Sequence, residues 1–315
     1  MTTTVREAPV DAATAAAVEA MAEAARAADG VAPLGEQPLR ALRGPAGSGV
    51  RHLVAADGRG GVAGYAQLAG AGEGATAELV VAVDHRRRGV GTDLLRALLE
   101  REPAAAVWAH GDLPAARALA GSLGLARTRE LLRMRRRAAD GPAVGPAEPP
   151  AGIETGTLAE AASEGGARWP GLDARAEFLR VNNAAFAWHP EQGGWTSEQL
   201  DDRLAVDWVD PAGIFLAVDT SGPVPRLAGF HWTKAAPAAP DEPVEGEVYV
   251  VAVDPADQGR GLGGLLTALG VRHLEGAVGA GSVVLYVEGD NTPARRTYER
   301  LGFAVDLTDV TYTSA

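Results

Sequence analysis

The sequence predicts an α/β protein made of two duplicated domains, each a mixed, mostly antiparallel sheet flanked by helices. Three observations carry this expectation. The chain has 315 residues, enough for two domains at ~100–200 residues each. A Pro-rich stretch, DGPAVGPAEPPAG from Asp140 to Gly152, lies near its middle without apolar periodicity and reads as a stiff linker. On either side of it, similar segments recur in the same order. The expected division is therefore a first domain over residues 1–139, a linker over 140–152 and a second domain over 153–315.

Each repeated element has a local signature. HLVAADGRGGVAGYAQL from His52 and FLAVDTSGPVPRLAGFHW from Phe215 are short apolar runs joined by Gly-containing turns, the pattern of a β-hairpin. AELVVAVDHRRRGVGTDLLRALL from Ala77 and VYVVAVDPADQGRGLGGLLTALG from Val248 each give a β-run and a Gly-rich turn. A Leu/Ala pattern at helical spacing then follows. AAVWAHGDLPAARALAGSLGLARTREL from Ala105 and VVLYVEGDNTPARRTYERLGFAVDLTDV from Val283 each give a strand and a helix with Pro in its first turn. A Leu-Gly break and a closing strand complete them. With an N-terminal helix, each half reads as a hairpin, a long strand, a helix, a strand, a helix and a last strand.

Composition narrows the function classes. Cysteine is absent, which excludes a disulfide framework, thiolate metal sites and a cysteine nucleophile, and suits a cytoplasmic protein. No apolar run is long enough for a membrane span, and the first twenty residues lack the pattern of a signal peptide. The net charge of −12 argues against a nucleic-acid partner, which needs a basic footprint. Residues 1–139 carry 18 Arg against 15 acids, whereas residues 140–315 carry 11 basic residues against 26 acids. The second half thus favours a cationic substrate, or simply has an acidic, soluble surface. Lys234 is the only lysine beside 28 arginines, so a compact ammonium with an adjustable pKa has a candidate role there.

The Gly-rich turns carry the chemistry. Gln258, Gly259, Arg260, Gly261, Leu262, Gly263 and Gly264 follow a strand and open a helix; Arg86, Arg87, Arg88, Gly89, Val90, Gly91 and Thr92 do the same in the first half. Backbone N–H groups at a helix N-terminus form an anion site, and glycines let a phosphate approach closely. A diphosphate-containing ligand is expected. Gly259, Gly261 and Gly264 also satisfy the dinucleotide fingerprint, with Glu288 at about the right distance. Too little chain follows Glu288 to complete a doubly wound sheet, however, and the first-half turn breaks the pattern. His189 and His231 lack metal-ligand spacing, so no metal is expected.

These turns, with a strand ending near Asn291, then Pro293-Ala-Arg-Arg-Thr-Tyr298 and Leu301-Gly-Phe303, resemble the GNAT superfamily of acyl-CoA N-acyltransferases. HPEQGGW from His189, FHWTK from Phe230 and GEVYVV from Gly246 resemble its tandem-domain members that acetylate the cysteinyl amine of cysteinyl-glucosaminyl-inositol. The resemblance implies acetyl-CoA as co-substrate and a small-molecule aminosugar–cysteine acceptor, with a monomer expected. It assigns acetyl-CoA to Gln258–Gly264, to the strand residues Val251, Ala252 and Val253, and to Asn291, Thr292, Pro293, Ala294, Arg295 and Arg296. In the first half, Leu79, Val80, Val81 and Arg87–Thr92 hold the equivalent positions. It assigns Glu36, Glu191, Lys234, Glu247 and Tyr286 to the acceptor.

Comparing the halves singles out the catalytic pair. Aligning Arg86 with Gln258 sets Ala75 opposite Glu247, and aligning Pro114 with Pro293 sets Leu119 opposite Tyr298. A carboxylate can take the proton of an attacking amine, and a phenol can donate to a departing thiolate. The resemblance gives Glu247 and Tyr298 these roles, so the first half, lacking both, is expected to be non-catalytic. The alternatives are a GNAT enzyme for another amine, such as an aminoglycoside or a protein N-terminus, or a non-catalytic acetyl-CoA-binding module. Trp188, Trp195 and Trp232 read as packing residues, and the basic run Arg133, Arg135, Arg136 and Arg137 as a solvated strand end.

Overall fold

A computed structural model describes residues 4–44, 49–58, 60–162, 168–187, 192–235 and 243–314. In chain order the elements begin with β1 (Thr4–Glu7), α1 (Ala12–Asp29), α2 (Glu36–Ala41), β2 (Val50–Ala56), β3 (Val62–Ala69) and β4 (Thr76–Val81). Next come α3 (Val90–Arg101), β5 (Ala106–Ala109), α4 (Pro114–Ser122) and β6 (Leu125–Arg137). After the Pro-rich stretch follow β7 (Ile153–Thr157), α5 (Leu158–Ala161), α6 (Ala174–Ala185), α7 (Ser197–Leu204), β8 (Ile214–Asp219) and β9 (Arg226–Ala235). The chain ends with β10 (Glu245–Val253), α8 (Leu262–Gly276), β11 (Ser282–Glu288), α9 (Thr292–Arg300) and β12 (Ala304–Ser314).

The chain forms two compact units that do not follow its linear order. Residues 1–131 and 307–315 make unit 1, and residues 132–306 make unit 2. The strand order in unit 1 is β1-β2-β3-β4-β5-β12, so the end of the chain supplies its last strand. In unit 2 the order is β7-β8-β9-β10-β11-β6, closed by the part of β6 from Leu132 onward. Each unit contains a parallel pair, β4–β5 in unit 1 and β10–β11 in unit 2, while β1 to β4, β5–β12 and β7 to β10 pair antiparallel.

Each sheet buries both faces. In unit 1, α1 sets Val18, Met21 and Ala25 against Val54, Tyr65 and Val80, while α3 sets Leu94, Leu95 and Leu98 against Leu53, Ala66 and Leu68. Unit 2 packs Phe178 and Val181 of α6 on Phe230, Trp232, Val250 and Ala252. On its other face, Leu262, Leu265 and Leu266 of α8 cover Ala217 and Ala228. Trp195 and Trp232 are both buried in the α6-side core, as packing residues. Trp188 lies outside the described residues.

The basic run is not a solvated strand end. A strand points successive side chains to opposite faces, and Leu132, Met134 and Arg136 all point inward, with Arg136 only 2% exposed. Its guanidinium donates to Glu275 at 2.7 Å and to the carbonyls of Leu301 and Pro142 at 2.5 and 2.8 Å. Arg133 and Arg135, on the alternate face, both donate to Asp306. A buried charge is tolerated only when paired and hydrogen-bonded, as Arg136 is.

One close approach fixes α8 on its sheet. His231 of β9 is fully buried, with Nδ1 2.8 Å from the Leu266 carbonyl, and burial pushes its imidazole down to about 4. A Cβ at Gly270 of α8 would stand 2.1 Å from His231 Cε1. Gly270→Ala should therefore destabilise the protein by ~1–3 kcal/mol, the usual cost of overpacking a tight core. Urea unfolding reads this directly. An unchanged midpoint would mean that the ring moves aside at no cost.

Candidate active site

The site in unit 2 starts where two strands part. β10 pairs with β9 as far as Val253, opposite Gly229, but with β11 only at Glu245, Gly246 and Glu247, opposite Ser282, Val283 and Val284. Past Glu247, β10 continues without a registered partner on its β11 side. The backbone of residues 248–253 thus faces a fork able to pair with an extended, amide-bearing ligand. Val251 and Val253 pack toward α8 and Ala252 toward the α6-side core, so only their main chain is offered to that fork.

At the end of β10 the chain makes a short 3-10 turn (Pro255–Asp257) and enters α8 through Gly259 and Gly261, both at φ +82°. This left-handed backbone suits glycine. A Cβ at either position would meet nothing within 4 Å, so conformation, not crowding, demands the glycine, and the space over the turn is open. No side chain caps α8, which leaves its first N–H groups to an anion. Leu262 is buried and offers only its backbone. Gln258 is exposed, while Gly263 and Gly264 are partly covered.

The turn is clamped from below. The Arg260 guanidinium donates to Asp257 at 2.5 Å and Asp219 at 3.1 Å, and Arg226 of β9 donates to the same two carboxylates. Ser221, through its hydroxyl and N–H, together with Arg260 and Arg226, holds the Asp219 carboxyl well below the usual carboxylate range. The Arg260 side chain is therefore committed to the fold, and the turn's anion-binding capacity rests on its backbone.

A β-bulge organises the reactive face. Val248 opposes Thr233 and Val250 opposes Trp232, so Tyr249 is an extra residue in β10. Val248 packs with Val271 and Leu274 of α8, but Val250 packs with Phe178 of α6. The alternation thus flips at the bulge, as bulges re-aim side chains. Glu247, at the apex of the fork, pairs across the sheet with Lys234, whose Nζ is 3.8 Å from its Oε2. The same ammonium lies 5.3 Å from the Trp208 ring centroid and 5.7 Å from that of Tyr249. Trp208 carries no motif in the sequence and Tyr249 lies within GEVYVV without a role of its own, and the bulge and the approach of the α7–β8 connection bring them here.

Tyr298 is carried by α9. Asn291 caps that helix by accepting from the Ala294 N–H at 3.2 Å, and Thr292 and Pro293 form its first turn. Arg295 donates to the Gly289 carbonyl, and Arg296 is exposed. A Cβ at Gly264 would lie 3.7 Å from Thr297, so α9 runs beside the start of α8. Tyr298 packs edge-on to Phe303, and burial pushes its phenol up to about 12. It is protonated at neutral pH and able to donate. Tyr286 is 48% exposed on β11. Glu191 and His189 lie outside the described residues.

Unit 1 repeats the geometry with different residues. β4 leaves β5 after Ala77, opposite Val107. Arg87 at φ +61° and Gly89 at φ +90° repeat the turn, and no side chain caps α3. Leu79, Val80 and Val81 lie on the unpaired edge, Val90 is buried beneath it, and Arg88 is exposed. Gly91 lies against Leu119, and Thr92 follows in the first turn of α3. Glu36 begins α2 and pairs with Arg40.

The alignment of Ala75 with Glu247 left unit 1 without a carboxylate, and here the structure corrects it. Glu78 lies one residue past the fork, accepting from the Gly35 N–H at 2.6 Å. His110 sits between Glu78 and Asp309, 3.2 Å from each. Burial pulls this imidazole down, but the two carboxylates outweigh it and raise it to about 9. A folded value above the ordinary 6.5 means that the stabilisation is complete below about pH 6.5 and lost as pH rises through about 9. NMR titration of His110 should give a midpoint near 9. A midpoint near 6.5 would remove the ion triad.

Among the described residues, no group of His, Cys, Asp and Glu could hold a metal ion, and no helix is long and apolar enough to cross a membrane. The profile of the acetyltransferase (GNAT) family matches residues 181–303, and that of an acetyltransferase (GNAT) domain matches residues 48–124. The mycothiol acetyltransferase of Mycobacteroides abscessus is 52% identical over 93% of this chain and 93% of its own. That of Rhodococcus opacus is 49% identical over 97% and 96%. Among solved structures, a GCN5-related N-acetyltransferase from Sphaerobacter thermophilus superposes with a TM-score of 0.69 at 22% identity, covering 98% of this chain and 94% of that one. A tandem GNAT protein from the clavulanic acid biosynthesis pathway gives 0.69 at 18%, covering 99% and 98%, and so shares the fold. With about half its residues identical over nearly its full length, the chain belongs to the mycothiol acetyltransferases, tandem-domain members of the GNAT family.

Proposed function

We propose that unit 2 transfers the acetyl group of acetyl-CoA to the cysteinyl amine of cysteinyl-glucosaminyl-inositol, the final step of mycothiol biosynthesis. The observation that carries this reading is the fork, which sets Glu247 at its apex, with an open strand edge running from it to an uncapped Gly turn. The backbone N–H groups of Gln258–Gly264 receive the pyrophosphate. The β10 edge at Val251–Val253 pairs with the pantetheine amides, and Asn291–Arg296 flank the thiol end. Acetyl-CoA supplies the activated thioester. Glu247 accepts the proton that the amine loses as it attacks, and Tyr298 donates to the departing sulfur. Lys234, Tyr286, Glu191 and Glu36 serve the acceptor's hydroxyl, carbonyl and ammonium groups. Unit 1 keeps a turn and an edge for acetyl-CoA at Leu79–Val81 and Arg87–Thr92 but performs no turnover, because Glu78 is held by Gly35 and His110 and Leu119 replaces the phenol.

Three measurements test this reading. Gly261→Val forces a β-branched residue into a left-handed backbone and adds bulk where the phosphate sits. Acetyl-CoA affinity should fall at least tenfold in the folded variant, and an unchanged Kd would dissociate the turn from the ligand. Glu247→Gln should retain acetyl-CoA binding while kcat drops by ~10²–10⁴, the usual contribution of a general base. In the wild type, kcat/KM for cysteinyl-glucosaminyl-inositol should far exceed that for free cysteine, because remote contacts position the amine. Equal values would transfer the assignment to a different amine acceptor.

A further inference from the structure

We infer that Trp208 and Tyr249 are positioning residues for the reaction: their rings hold the Lys234 ammonium beside Glu247 and thereby keep that carboxylate ionised as the site fills. This rests on the reading of Glu247 as the base and adds what sets its charge. The geometry has three parts. Lys234 Nζ stands 3.8 Å from Glu247 Oε2, close enough for strong Coulomb attraction but beyond hydrogen-bonding distance. The same nitrogen lies over the faces of Trp208 and Tyr249, a placement that attracts a cation through the ring quadrupole. The rings brace one another: Tyr249 meets Trp208 edge-on at 5.1 Å and Trp232 at 5.6 Å, and Trp232 is fully buried.

The chemistry explains why such a brace is useful. Ligand binding at the fork removes water from Glu247, and desolvation alone would raise its pKa and cost the base its charge. A fixed cation within ~4–6 Å opposes that shift by ~1–3 pH units. An unbraced lysine is a hydrated ammonium on a flexible four-carbon stem, which drifts into solvent and takes its field away from the carboxylate. Bound over two rings, Lys234 keeps that field in place. A compact ammonium suits the gap between two ring faces, whereas a planar guanidinium would stack on one and fork onto the carboxylate. That difference accounts for a lysine at this one position in a chain that otherwise uses arginine. Among the described residues near it, Glu245 two residues away is paired with Arg135, and the Tyr249 phenol follows two residues on.

The test reads the carboxylate itself. Glu247 is titrated by 13C NMR in the acetyl-CoA-bound protein without acceptor, so the result does not depend on which amine is the substrate. Lys234→Met should raise the Glu247 midpoint by ~1 pH unit or more. Trp208→Leu should raise it in the same direction, and Trp208→Phe, which keeps a ring face, should restore most of the wild-type value. Because the ring acts through the ammonium, Lys234→Met with Trp208→Leu should match Lys234→Met alone rather than sum the two shifts. Tyr249→Leu, on the strand and away from the Trp208 backbone, provides an independent second variant should Trp208→Leu not fold. Midpoints unchanged in the ring variants, or additive shifts in the double variant, would overturn the proposal. A wild-type enzyme that binds acetyl-CoA but fails to acetylate the proposed acceptor would overturn the functional reading while leaving this titration intact.

Discussion

The parting of β10 from β11 after Glu247 is the constraint on which the rest of unit 2 depends. A parallel pair that stayed in register would satisfy the main chain of residues 248–253 internally and leave nothing for a ligand. Because only three residues pair, one strand edge opens, and the helix that follows it begins beside the opening. The bulge at Tyr249 uses the same stretch for a second purpose. It sends Val248 and Val250 to opposite faces, so Val248 joins the α8-side core and Val250 the α6-side core.

Holding a fork open requires rigid surroundings, and the arginines supply them. Arg226 and Arg260 share Asp219 and Asp257 beneath the turn. Arg180 ties Asp254, at the head of the same turn, to the Leu227 carbonyl. Arg136 joins β6 to α8 through Glu275 and to the end of α9 through the Leu301 carbonyl. Planar guanidinium groups with several donors can satisfy two or three acceptors at once, which suits these buried junctions. The acidic excess of the second half is therefore partly consumed in structural pairs, and its net charge alone is a poor guide to the substrate.

Unit 1 shows how the same architecture is turned to another use. Its fork and turn persist, and Arg87 adopts a left-handed conformation that costs an ordinary residue ~1–2 kcal/mol. Its carboxylate, however, is bound by a backbone N–H and a charged histidine. The last strand participates in this arrangement: Asp309 meets both His110 and the Gly111 N–H, and the Tyr312 hydroxyl donates to the buried Asp112. The first unit is thus complete only when the end of the chain has arrived.

The sequence by itself determined the duplication, the two Gly turns at helix starts and the strand and helix pattern, including Tyr298 on α9 and Glu247 on β10. These features are local, since periodicity and turn chemistry are set within a dozen residues. It also singled out Lys234, by composition alone, without a reason for it. Tertiary structure decided what no local pattern encodes. Residues 307–315 close unit 1 because strand partners are chosen by long-range pairing, while a period of two tells only which side chains share a face. Arg136 is buried because its strand has an inner face, although its charge reads as surface. Glu78, Trp208 and Tyr249 acquire their places from an adjacent strand, a loop and a bulge. Such a bulge shifts register by one residue, and neither composition nor spacing records where it falls.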